Sequence, residues 1–198
     1  MKIKIYKNDI PKSLKFNKSI AVDTETMGLN PRRDRLCLIQ LSSGNGICHL
    51  VKMDHNFKKP KNLISVLKNK KIVKIFHYAR FDVAFLKFCF NIEIENIYCT
   101  KIASKLSRTF TDKHGYKDLC AELLNKNISK NEQTSDWGNI NLTLAQQKYA
   151  ATDVLYLHKL RDRLDKILIR EKRMNLAKAC FNFIKFRTDL DLEGWAEQ

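Results

Sequence analysis

The stretch SIAVDTETMGL, residues 19–29, constrains the fold more than any other part of the chain. Ser19 to Val22 has the composition of a buried strand, yet Asp23 and Glu25 follow at once, with only Thr24 between them. Side chains two apart along a strand share a face, so both carboxylates converge at the end of an apolar run. Desolvation and mutual repulsion both oppose their ionisation. Either the pair caps the next turn and faces solvent, or the fold supplies positive charge. A divalent cation is the simplest such supply, because hard ions such as Mg²⁺ and Mn²⁺ prefer carboxylate oxygens.

Two further segments bear on the choice. HYARFDVAFL places Asp82 in the first turn of an otherwise apolar helix, and QKYAATDVLYL places Tyr149 and Asp153 four apart, on one helical face. Each has a modest explanation alone: helix capping for Asp82, a core aromatic for Tyr149, a surface charge for Asp153. Together they put acids into three separate apolar segments, which a shared site explains at once. Four acids and a tyrosine suit two-metal phosphodiester hydrolysis. One ion acidifies a water, the other stabilises the leaving oxygen, and both offset charge in the transition state. A tyrosine, with an ordinary pKa of about 10, suits orienting the attacking water better than deprotonating it.

The rest of the pattern predicts an α/β fold. SIAVDTE, RLCLIQLSS and GICHLVKM read as three strands, the last two joined by the glycines of SSGNG. KNLISVLKN has helical spacing, KIVKIFHY is a strand, RFDVAFLKFCF returns to a helical period, and NIYCT is a short strand. KIASKLSRT and YKDLCAELLN are helices, and one helix is expected from Thr143 through LAQQKYAATDVLYLHKLRDRLDKIL. Helical spacing resumes toward Phe186, and DLDLEGWAEQ reads as an extended tail. The expectation is a single domain over residues 1–198, with a mixed central sheet flanked by helices. The last dozen residues (187–198), carrying Trp195, are expected to fold onto the domain or to meet another subunit.

Composition narrows the partners. With 37 Lys+Arg against 21 Asp+Glu, the net charge is +16, which favours polyanions: nucleic acid or an anionic membrane surface. A solvated basic surface without a partner is the plain alternative. Membrane partners are not expected. Apolar stretches are far shorter than the roughly 20 residues that span a bilayer, and MKIKIYKNDIPKSLKF alternates like a strand rather than an amphipathic helix. The six cysteines lie scattered in apolar surroundings without a C-x-x-C pair, as buried reduced thiols do, and point to a cytoplasmic location.

With DTE (Asp23, Glu25), HYARFD (Asp82) and YAATD (Tyr149, Asp153) in this order, the chain resembles the DEDD family of 3′-5′ exonucleases. It resembles the tyrosine branch, since Lys148 stands where the histidine branch has its histidine. Within that branch it is similar to the exonuclease domain of ribonuclease D, including SKNEQTSDW, without that family's helical RNA-binding domains. It is similar nearly end to end to the short bacterial dinucleotide-degrading nanoRNase C group, through RRDRLCLIQLSSGNG, CTKIASKLSRTFTDKHG, LLNKNISKNEQTSDW and KACFNFIKF with DLDLEGW. The resemblance implies an RNase H-like sheet, two Mg²⁺ or Mn²⁺ ions per site and a ring-like homo-oligomer. It also implies that Asp23 bridges both ions, Glu25 and Asp153 bind the hydrolytic one, and Asp82 holds the second.

It further suggests substrate contacts. Leu29 is expected to wedge between bases, the alternative being a core leucine. Thr24, His77 and Phe81 are expected at the pocket. Lys105, Arg108, Lys113 and His114 of KLSRTFTDKHG are expected around a 5′-phosphate, or as a mobile basic loop. Lys130, Gln133, Ser135 and Trp137 are expected beside the site, Trp137 alternatively in the core. The implied activity is removal of residues from the 3′ end of very short RNA, chiefly dinucleotides. Longer RNA or single-stranded DNA is the alternative that the net charge favours, since long strands gain from many cationic contacts. A non-catalytic nucleic-acid binder is disfavoured because no acidic ligand is missing.

Overall fold

A computed structural model of the chain describes residues 1–129 and 131–195. Lys130, expected near the site, lies outside the described residues. The elements in order are β1 (Lys2–Lys7), β2 (Ser19–Thr26), β3 (Leu36–Ser42), β4 (Ile47–Lys52), α1 (Lys61–Lys68), β5 (Val73–Phe76), α2 (Ala79–Phe90), β6 (Ile97–Cys99), α3 (Thr100–Ser107), α4 (Tyr116–Leu124), α5 (Leu144–Leu155), α6 (Leu157–Arg170) and α7 (Met174–Glu193). The strands form one mixed sheet in the order β1-β4-β3-β2-β5-β6. β2, β3 and β4 form the antiparallel meander read from the sequence, whereas β1, β5 and β6 join by parallel pairing. Helices cover the sheet as a parallel sheet's crossovers require.

β3 is buried at every residue, which places it mid-sheet and explains why RLCLIQLSS is a continuous apolar run rather than an alternating one. β2 lies between β3 and β5, so its C-terminal end opens where the antiparallel and parallel parts of the sheet meet. The β3–β4 turn uses Gly44 and Gly46 in the left-handed region, φ 77° and 80°. A Cβ on Gly44 would also press on the His158 ring at 2.8 Å. β1 is a lysine-bearing edge strand, a common guard against edge-to-edge pairing. All six cysteines are unpaired, with Cys37, Cys48, Cys99 and Cys120 buried. Among the described residues no helix is long and apolar enough to cross a membrane.

Two expectations are corrected. The helix predicted from Thr143 breaks at Tyr156 into α5 and α6. The Tyr116 hydroxyl donates to the Thr152 carbonyl at 2.6 Å and accepts from the Tyr156 amide at 3.3 Å, capping the break from another helix. Helical periodicity runs unbroken through this point and carries no trace of a partner so distant in sequence. The second correction concerns the tail: α7 continues to Glu193 and closes at Gly194, φ 94°, so most of DLDLEGW is helical. Its aspartates pair with cations of α2, contacts that favour the helix over the extended form.

Candidate active site

The end of β2 carries the acids. Asp23 pairs in register with Gln40 of β3, and a shift in register between Glu25 and Thr26 ends regular pairing there. Asp153, near the end of α5, meets them from the side. Asp23, Glu25 and Asp153 each offer an oxygen, all within 4.8 Å of one another. Asp82, in the first turn of α2, is 3% exposed and accepts a 2.7 Å hydrogen bond from the Thr24 hydroxyl. Three distant segments thus meet at one end of the sheet.

Their electrostatics are one-sided. Desolvation pushes the Asp23 carboxyl up to about 7. Desolvation, then the charges of Asp23, Asp153 and Asp82, push Glu25 up to about 10 against the opposing hydrogen bond from Gln40. Asp82 and Asp153 are raised well above the ordinary carboxylate range, by burial first and then by the Asp23 charge. Among the described residues, none of the four takes part in a salt bridge; the relief comes from neutral donors. The Gln40 amide donates to both Asp23 Oδ2 and Glu25 Oε1 at 3.2 Å from a fully buried position. Oxygen donors packed this closely, with no side-chain cation, match the chemistry of a hard divalent ion.

The acids form the floor of a cleft of about 740 Å³. Tyr149, one helical turn before Asp153, also lines it, and burial followed by the Asp153, Glu25 and Asp23 charges raises its hydroxyl pKa. Trp137, 2% exposed, backs the Tyr149 ring with centroids 6.0 Å apart. Residues 4–169 match the family model described as 3′-5′ exonuclease.

The chain belongs to the 3′-5′ exonuclease family.

The exonuclease is 29% identical to ribonuclease D of Acidiphilium cryptum over 156 residues, which is 79% of this chain and 39% of that one. Ribonuclease D of Gluconacetobacter diazotrophicus is 30% identical over the same shares. The chain therefore spans about two fifths of the length of these curated relatives. Among solved structures, Brucella melitensis NrnC bound to pGG superposes with a TM-score of 0.96 at 48% identity, covering 100% of this chain and 97% of that one. The same Brucella protein with bound Mg²⁺ gives 0.95 at 47%, with the same coverage. Escherichia coli RNase D, at 24% identity and a TM-score of 0.77 over 87% of this chain and 45% of that one, shares the fold. The architecture is the RNase H-like α/β fold of such exonucleases.

The other expected residues divide. Leu29 is 82% exposed at the cleft, which rules out the core alternative. His77, Phe81, Gln133 and Ser135 also line the cleft. His77 Nδ1 shares a 2.9 Å hydrogen bond with Thr100, and Ser135 accepts one of 3.0 Å from Gln146. Trp137 is both core and cleft wall. Arg108 and His114 require correction: neither lines the cleft. Arg108 is 1% exposed, its guanidinium bound to Ser104 Oγ, the Lys113 carbonyl and the Glu122 carboxylate, and His114 Nδ1 shares a 2.8 Å hydrogen bond with Ser104 Oγ. Arg108 thus turns inward, whereas Lys105 and Lys113 of the same segment stay exposed outside the cleft lining.

Among the described residues the cations on the cleft wall are Lys101 and Lys117, which carry no motif in the sequence. Lys101 sits 4.1 Å over the Tyr78 ring, itself at the cleft. Gln40 was also missed. It is a lone amide inside LCLIQLS, and only the β2–β3 register places it opposite Asp23.

Proposed function

We propose that this exonuclease hydrolyses very short RNA, chiefly dinucleotides, from the 3′ end to nucleoside 5′-monophosphates. The observation that carries the proposal is the likeness to NrnC holding pGG, which extends over 97% of that chain and includes the cleft. A cavity of about 740 Å³ also falls in the range that encloses one small ligand. Asp23, Glu25, Asp82 and Asp153 hold the divalent ions, two Mg²⁺ or Mn²⁺ per site. When bound, such ions acidify water and offset charge at the phosphate. Gln40 fixes one oxygen each of Asp23 and Glu25. Tyr149, whose ordinary pKa of about 10 leaves it protonated near neutral pH, orients a water by hydrogen bonding rather than acting as a base. Trp137 holds the Tyr149 ring, and Thr24 holds Asp82.

In this reading Leu29 and Phe81 contact bases, and His77, Gln133 and Ser135 border the nucleotide. Lys101 and Lys117 take the phosphate-binding role first expected of Arg108 and His114. The proposal includes self-association in the cytoplasm, as a ring of copies. Leu176, Phe183, Phe186 and Trp195 leave apolar surface exposed at α7 and the turn after it, as an interface between copies would need.

A second reading, trimming of longer RNA or single-stranded DNA, is favoured by the net charge of +16. A series of 5′-labelled RNAs from two to seven nucleotides, with single-stranded DNA alongside, separates the two. We expect the two-nucleotide RNA to be turned over fastest and with a shallow salt dependence. Equal cleavage of all lengths, weakening steeply with salt, supports the second reading instead.

A further inference from the structure

The C-terminal turns of α7 break a helix rule. Asp189, Asp191 and Glu193 crowd the end where the helix dipole is negative, and no basic residue stands in the last turn. Acids in that position are tolerated where something outside the helix neutralises them. Arg80, the second residue of α2, donates Nε and Nη2 to the two Asp191 oxygens, each at 2.6 Å. Arg187 donates to the same carboxylate at 2.8 Å and to the Trp195 carbonyl at 2.7 Å. One residue on, the Leu192 carbonyl, left open by the end of the helix, accepts from Arg32 Nε at 2.5 Å.

These bonds reach two segments that line the cleft. Arg80 lies between Tyr78 and Phe81, which line the cleft, and two residues before Asp82. Tyr78 enters α2 in the left-handed region, φ 65°, a strained conformation for an aromatic residue and one that surrounding contacts must hold. Arg32 belongs to the loop that carries Gly28 and Leu29, which also line the cleft. Arg80, Asp191 and Arg32 themselves do not line the cleft. From this geometry we infer that Asp191 is a positioning residue: the end of α7 ties the first turn of α2 and the Leu29 loop together, setting the width of the cleft and the placement of Asp82. The DLDLEGW segment thus acts on the site from outside it. The inference rests on the site reading given above.

Asp189 supplies the internal comparison. It holds Lys87 at 2.5 Å, two turns further along α2 and away from the cleft. Asp189→Asn and Asp191→Asn each remove one α2–α7 ion pair from the full chain. We expect both to lower Tm, Asp191→Asn by more because it also loses Arg187 while Lys87 keeps Glu93. Only Asp191→Asn should raise KM for a two-nucleotide RNA. It should also raise, by about tenfold, the Mn²⁺ concentration for half-maximal binding followed by EPR without RNA. Arg80→Lys keeps the charge but loses the two-pronged grip, and should do the same in a chain whose α7 is untouched; Asp191→Glu should recover part of the loss. If Asp191→Asn does not fold, Arg80→Lys decides alone. KM and Mn²⁺ midpoints within twofold of the parent, or equal changes in Asp189→Asn, overturn the inference. Asp82→Ala separates the two readings: normal turnover there overturns the site itself, whereas lost turnover beside an inert Asp191→Asn overturns only the role of α7.

Discussion

Two clusters of buried charge in this exonuclease look alike in sequence and differ in structure. At the end of β2, four carboxylates share a cleft with no side-chain cation paired to them among the described residues. In the loop after α3, Arg108 is more deeply buried than three of those acids, yet its guanidinium is surrounded by Ser104, the Lys113 carbonyl and Glu122. Both were expected to meet substrate. What separates them is whether the protein balances the charge itself. A buried ion that finds its partners within the chain builds scaffold. A buried cluster left with its own repulsion is held together by the rest of the fold for something that arrives later.

The contrast is broken most sharply at the acids. Asp23→Ala and Asp153→Ala should each reduce turnover by at least about a thousandfold, while leaving circular dichroism unchanged. In the metal-free state Tm should hold or rise, since each change removes repulsion among desolvated carboxylates. Normal turnover in either variant would make the cluster scaffold after all. Tyr149→Phe comes next. Losing the hydroxyl should lower kcat by about a hundredfold with KM nearly constant. An unchanged kcat removes the tyrosine from the chemistry.

A smaller effect concerns pH. Asp23 titrates at about 7 in the folded chain against an ordinary value near 4. The folded form therefore retains a proton the unfolded form has lost. The stability this confers is complete below the ordinary value and disappears as pH rises through about 7, with Glu25 extending the same trend higher. Metal-free protein should accordingly lose Tm between pH 5 and pH 8, and Mg²⁺ should raise Tm more at pH 8, where it no longer competes with protons. A Mg²⁺ shift that is larger at pH 5 would contradict the assignment. The smallest effect on activity belongs to Arg108→Met. We expect Tm to fall by several degrees, with KM and kcat for short RNA within twofold. A large rise in KM would return the loop to the substrate site.

The site was legible to the extent that its logic is local. Asp23 and Glu25 share a face because strand side chains alternate. Tyr149 and Asp153 share one because a helix turns once in 3.6 residues. A single shared arrangement explains acids in three apolar segments at once. Arg108 was misread because a guanidinium's partners are decided in three dimensions. Glu122 is fourteen residues away, and nothing in KLSRTFTDKHG distinguishes a reaching arginine from an enclosed one. Gln40 was overlooked because one amide in an apolar strand acquires meaning only once its register against β2 is known.

By itself, then, the chain determined the alternation of strands and helices and which acids would face a common point, since both follow from backbone periods and burial of apolar side chains. Only the tertiary structure decided the break at Tyr156, the helical course of α7 and the enclosure of Arg108. Each depends on one or two hydrogen bonds or ion pairs between residues remote in sequence. Local propensities differ by less than such a bond contributes, so periodicity runs past these points without registering them.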